Sequence, residues 1–231
     1  MILEALTILL AFFLILVLLR AIKSMTNEVG KYQKLPWAMT IFVAFWLIYL
    51  SVLSYTEVIT DFSFPPRIPL LVVLPLLMLM AISLFRRATT DFVATTSVGW
   101  LIYIQSFRII VELIIWGLYK QGIVPIETTF EGYNYDVVVG LTAVPLAYYA
   151  KRDKISPLML MLWNIAGLLI LANTVRLFVS TVYFPEIFGQ DSTMIEPAFA
   201  KLPYLLIAGF FMPLAVYIHA LSIKQLLNRR Q

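Results

Sequence analysis

Residues 105–117, QSFRIIVELIIWG, set Gln105, Arg108 and Glu112 in an otherwise apolar run. Their i, i+3, i+7 spacing puts all three on one face of a helix. Charges in such a run are costly to desolvate, so they are expected to face a bundle interior and to pair, Arg108 being the first-choice partner for Glu112. A guanidinium is a planar fork that suits carboxylate or phosphate, and a desolvated carboxyl can act as a general acid. A second run, WNIAGLLILANTVRLFVS, repeats the spacing with Asn173, Arg176 and Ser180. The tract EGYNYD (131–136) adds Asn134 and Asp136. The candidate ligand-binding set is therefore Gln105, Arg108, Glu112, Asn134, Asp136, Asn173 and Arg176, with Glu112 and Asp136 as the catalytic candidates. Arg108 and Arg176 against Glu112 leave a positive charge inside, for Asp136 or an anionic ligand to offset.

Each residue also has a structural reading. Arg108 and Glu112 would serve equally as a clamp between helices, and Asn164 and Asn173 as interhelical glue. His219 reads as a satisfied packing residue, and EGYNYD as a turn and helix start capped by Asn134. Other chemistries are excluded. The chain has no cysteine and one histidine, so thiolate sites and multi-histidine zinc sites cannot be built. It carries no P-loop, dinucleotide fingerprint or nucleophile elbow. The last apolar run has no central lysine for a retinal Schiff base. Neither a metal nor a cofactor is expected.

The elements that must hold these residues follow from composition. Of 231 residues, 61% are hydrophobic and 13% charged, with a mean hydropathy of +0.91. A water-soluble fold needs more charge than this. Seven apolar runs fall near 2–19, 36–56, 68–85, 93–118, 136–150, 157–181 and 202–223, predicting one all-α, seven-helix membrane domain over 1–231. The first run lacks a preceding positive charge, so it reads as a retained span and not a secretory signal. One set of loops carries Arg20, Lys23, Lys31, Lys34, Arg86, Arg87, Lys151, Arg152, Lys154, Lys224, Arg229 and Arg230; the other carries Arg67, Lys120 and Lys201. That bias predicts an outside N-terminus and a cytoplasmic C-terminus. The basic residues form no basic domain, so no nucleic-acid partner is expected. The long inner loop is 20–35, and 119–135 and 182–201 are long outer loops. Pro75, Pro145 and Pro213 interrupt spans and free backbone carbonyls. The 136–150 run is short, about 22 Å as a helix, which draws EGYNYD into the outer part of the bundle.

The stretches QSFRIIVELIIWGLYKQGIVP, FEGYNYDVVVGLTA, WNIAGLLILANTVR and YIHALSIKQL resemble a group of small seven-helix bacterial inner-membrane proteins, common in Bacteroidota, without established function. The resemblance covers about the last 130 residues and implies a bacterial cytoplasmic membrane. Three readings follow. The chain binds or transports a small anionic or amphipathic molecule in a pocket in the outer half of the bundle, roofed by 119–135 and 182–201. Alternatively it is an intramembrane enzyme of lyase or cyclase type, with Glu112 and Asp136 as acid and base. Or it is a membrane subunit or sensor that acts through a membrane-protein partner or a second copy of itself.

Overall fold

The computed structural model describes residues 1–228, and these contain helices and no strands. Arg229 and Arg230, counted above with the basic loops, lie outside the described residues. Helix α1 (Ile2–Val29) runs well past its expected end. Nothing in AIKSMTNEV breaks a helix until Gly30, whose left-handed backbone (φ 68°) ends it and returns an N–H to the Thr26 carbonyl. The expected loop 20–35 therefore shrinks to a short turn before α2 (Leu35–Tyr55).

The third apolar run starts with a π turn, Pro69–Val73, continues as α3 (Leu74–Leu84), and bends by 77° into the short helix α4 (Arg87–Thr95). The Ser97 side chain caps α5 (Val98–Tyr103) by accepting from the Trp100 N–H. A 3₁₀ turn, Ile104–Ser106, joins α5 to α6 (Phe107–Lys120). Helix α7 is Asp136–Ala150 and α8 is Pro157–Tyr183, the latter capped by Ser156. A second π turn, Ile207–Phe211, leads into α9 (Met212–Asn228).

Among the described residues, five helices are long and apolar enough to cross a membrane, six if α3 and α4 count as one broken span. Seven were expected. The difference lies in α3, which is short and bent, and in α7, whose 15 residues fall short of the roughly 20 that a hydrocarbon core needs. Burial separates inner helices from outer ones. The most apolar stretches of Val98–Lys120 and Ile207–Asn228 are 67% and 61% buried, those of α1 and α2 only 22% and 17%.

Two of the freed carbonyls have identifiable partners. Pro213 has no N–H for the carbonyl of Gly209, and the indole N–H of Trp46 takes it at 2.7 Å. Pro75 likewise frees the carbonyl of Leu71, which accepts from the Tyr49 hydroxyl at 2.9 Å. One turn of α2 thus secures both π turns.

Side-chain contacts sort the loops into two ends. At one end Tyr32 donates to Asp91 (3.0 Å) and Lys224 to the Leu84 carbonyl (2.5 Å). At the other, Lys201 meets Glu57 (2.5 Å), Lys120 meets Glu131 (3.7 Å), and the Glu196 N–H bonds the Ile123 carbonyl (2.9 Å). The candidate residues lie between these ends, where α6, α7, α8 and α9 pack together.

Candidate functional site

Helix α6 turns Arg108 and Glu112 inward and the 3₁₀ turn before it does the same for Gln105, each 1% exposed. Helix α7 approaches closely because residue 140 is glycine. A Cβ there would sit 3.0 Å from the Ile109 backbone nitrogen and 2.8 Å from its Cγ1. One turn above Gly140, Asp136 meets Arg108. Both carboxylate oxygens accept from the guanidinium, one from Nε at 2.8 Å and the other from Nη2. Such a two-pronged pair is strong and directional.

The expected Arg108–Glu112 pair does not form. Among the described residues no basic group comes within 4.0 Å of a Glu112 oxygen. Residues one turn apart share a face, but Arg108 reaches across to α7, where its fork meets a whole carboxylate. Glu112 is held instead by Asn134, whose Nδ2 donates to Oε1 at 2.9 Å; Oε2 is buried and has no partner.

Asn134 is a hub. Its Nδ2 also donates to the Thr128 carbonyl (3.0 Å). Its Oδ1 accepts from the Asp136 N–H (3.1 Å) and the Thr174 hydroxyl (2.8 Å). The tract 131–136 is therefore a helix start, and its Asn134 and Asp136 are drawn into the interior at 1% and 5% exposure.

On the far side of Arg108, Nη1 donates to His219 Nε2 at 3.0 Å. A guanidinium has no acceptor, so Nε2 is the bare imidazole nitrogen and Nδ1 carries the proton. Nδ1 donates to Asn164 Oδ1 (2.9 Å), and Asn164 Nδ2 donates to Ser222 Oγ (3.0 Å) and the Leu160 carbonyl (2.7 Å). A continuous buried relay results: Glu112, Asn134, Asp136, Arg108, His219, Asn164, Ser222. His219 lies over Gly167 and beside Trp163, ring centroids 5.3 Å apart.

Above the relay lies a cavity of about 920 Å³ including its open mouth. Arg108, Glu112, Asp136 and Thr174 form its polar floor, and Tyr183 lines it too; Phe107, Phe178, Phe199 and Phe211 are among its apolar walls. The π-turn residues Pro69, Val73, Ile207 and Ala208 shape its side, and Phe62, Ile195 and Phe199 from the loops close over it. From the 182–201 loop, Ile195 and Phe199 join the lining. The 119–135 loop contributes through Asn134 behind the floor and not as roof.

Four candidates fall outside the cavity lining, Asn134 behind the floor and three others. Gln105 donates to the Ala215 carbonyl at 3.1 Å. Asn173 donates to the Tyr133 carbonyl (2.9 Å) and accepts from Arg176 (3.0 Å). Arg176 is exposed, on the outer face of α8, and contributes no charge to the interior. Thr174, its neighbour but one, holds the inward position. It escaped notice because a threonine in an apolar run gives no periodic signal of its own. The interior charge set is thus Arg108 with Asp136, and Glu112 apart.

Among the described residues, long apolar helices surround a buried ionic relay beside an apolar cavity, which defines the class as an apolar helical bundle with a polar interior. The chain belongs to the family described as a domain of unknown function (DUF8737), whose model matches residues 65–227. The match takes in every relay residue and omits α1 and α2. No curated protein and no solved structure matches the chain.

Proposed function

We propose that the chain is an integral membrane protein whose cavity binds a small amphipathic molecule. The apolar body lies among the phenylalanines, and one polar group rests at Arg108, Asp136 and Glu112. The observation that carries this reading is the junction of an open apolar cavity with a buried, partly unsatisfied polar floor. Ligand sites have this composition.

The membrane assignment draws on the outward faces of the helices. Phe12, Phe13, Phe45, Ile48 and Leu169 are each 60% exposed or more, and contiguous apolar surface of this kind belongs against lipid. We read seven spans, with α3 and α7 as short ones, an outside N-terminus and a cytoplasmic C-terminus. Gathering of the basic loops at one end of the bundle supports this orientation. On it the cavity lies in the outer half. The resemblance noted above favours a bacterial cytoplasmic membrane.

One observation favours a catalytic variant of this reading. Glu112 lines the cavity with an unpartnered oxygen, so it can exchange a proton with an occupant. Asp136 cannot act as a second free acid while both its oxygens bind Arg108.

Native mass spectrometry of the full chain extracted from membranes tests the binding reading. The wild type should carry a molecule of lipid-like mass. Ala208→Trp, which fills the cavity from its side, should lose it while still folding, as judged by gel filtration. An empty wild type, or equal loading of the two, counts against the reading.

A further inference from the structure

We propose that the occupant of this cavity presents a hydrogen-bond donor, a hydroxyl or a protonated amine on an apolar body, to the Glu112 carboxyl, and that anionic heads are excluded. This rests on the cavity being a binding site.

Three observations converge. Glu112 lines the cavity, is 1% exposed, and has one oxygen bonded to Asn134 and one without any partner. Buried polar atoms are rarely left so, and an orphan acceptor beside a void calls for a donor in that void. Second, the cation at the site is already committed. Arg108 uses Nε and Nη2 on Asp136 and Nη1 on His219. Three of its five N–H groups are thus engaged and Asp136 offsets its charge, so a carboxylate or phosphate head would find only the one N–H left on each of Nη1 and Nη2, on a cation already paired. Third, the polar floor holds two carboxyl groups and a single cation among the described residues. An anion would face Glu112 and Asp136 at close range in a poorly screened site, which is a repulsive arrangement. Thr174 adds a hydroxyl whose one proton is taken by Asn134 Oδ1 (2.8 Å), with the Ile170 carbonyl as the alternative acceptor, so toward the cavity it accepts. The floor is thus rich in acceptors and poor in free donors. The walls fix the remainder of the ligand: Phe178 and Phe199 stack with centroids 5.1 Å apart, a surface that recognises hydrocarbon.

The test uses the full chain in nanodiscs and four probes of one chain length: dodecanol, dodecylammonium, dodecanoate and dodecane. Binding is measured by displacement of a fluorescent apolar probe, with Ala208→Trp as the blocked reference. Dodecanol, dodecylammonium or both should bind the wild type about tenfold more tightly than dodecanoate, the scale of one charge-assisted hydrogen bond. Glu112→Leu should reduce the favoured head to the level of dodecane while dodecane itself still binds, which also shows that the variant is folded. Glu112→Gln separates the two sources: it should spare dodecanol and abolish an advantage of dodecylammonium. Dodecanoate binding as tightly as the donors in the wild type overturns the inference and leaves the cavity reading standing. Head-group preference unchanged in Glu112→Leu overturns it too. If no probe binds the wild type better than Ala208→Trp, the binding reading fails and this inference with it.

Discussion

Arg108 Nη1 stands 3.0 Å from His219 Nε2, and that contact makes the imidazole an acceptor toward Arg108 and a donor toward Asn164. The histidine is a connector between an ionic pair on one side and a neutral amide on the other. His219→Phe keeps the ring volume and removes both roles. It should destabilise the protein by about 1–3 kcal/mol, the usual cost of orphaning a buried polar group. Thermal unfolding in detergent measures it. Asn164→Leu in the same background should add less than it does alone, because the two side chains share one bond. Full additivity would break the relay at this point.

Gly167 supplies the room for that histidine. An ideal Cβ at 167 would lie 2.4 Å from both Cε1 and Nε2 of the ring. Two hydrogen bonds pin the ring, so it cannot swing aside cheaply. Glycine to alanine in a helix ordinarily stabilises by up to about 1 kcal/mol. Here Gly167→Ala should instead destabilise, by about 1–3 kcal/mol from overpacking. Combining it with His219→Ala should recover part of the loss. A stabilised single variant would mean that α8 and α9 do not cross this closely.

The buried carboxyls should behave unequally. Arg108→Ala leaves Asp136 buried without its cation and should cost about 3–5 kcal/mol. Asp136→Ala leaves Arg108 in the same position and should cost a similar amount. Glu112→Gln keeps an acceptor for Asn134 and has no cation to abandon, so its effect on melting temperature should be the smallest. If Glu112→Gln matched Arg108→Ala, the pairing would be Arg108–Glu112 after all.

That contrast marks how far the sequence alone could be read. The inward face of α6 was legible, because i, i+3, i+7 spacing is a property of a single helix. The choice of Asp136 over Glu112 was not, since it depends on the close approach that Gly140 permits between α6 and α7. Arg176 shares the spacing of Arg108, but α8 turns Arg176 outward while Thr174 and Ser180 face inward. Asn164 was read as glue between helices and serves as that, bonding Ser222 on α9. His219 was read as packing, because one histidine in an apolar run carries no pattern; its place between Arg108 and Asn164 is set by three different helices. The length of α1 was misjudged because its apolar run ends well before its helical propensity does.

Glu57 and Lys201 join two loops at the end opposite Tyr32 and Asp91, 2.5 Å apart and well exposed. The hydrogen bond from Lys201, aided by its charge, holds the Glu57 carboxyl below its ordinary value of 4.5. A depressed folded-state value stabilises above the unfolded one, and the contribution is lost as pH falls through the folded one. Lys201→Met should therefore lower the melting temperature slightly at pH 7, and wild type and variant should converge in the acid range below the ordinary glutamate value. Added salt should narrow the gap at neutral pH, as for any exposed pair. A gap independent of both pH and salt would assign the effect to packing of the lysine stem.

Trp46 and Pro213 form the most specific test of the fold. Proline at 213 cannot donate to the Gly209 carbonyl, and the Trp46 indole, 6% exposed, donates in its place at 2.7 Å. Trp46→Phe should orphan a buried carbonyl and cost about 1–3 kcal/mol. Pro213→Ala restores a backbone N–H four residues after Gly209. In that background Trp46→Phe should cost less than in the wild type, because the carbonyl has an alternative donor. Loss of ring contact alone would give the same penalty in both backgrounds, so a double-mutant cycle separates the two accounts. The consequence extends to the cavity, since Ile207, Ala208 and Phe211 of this π turn line it. Trp46→Phe should thus weaken dodecanol binding relative to wild type, and Pro213→Ala should restore part of it. Unchanged binding in Trp46→Phe would show that the turn holds its shape without the indole.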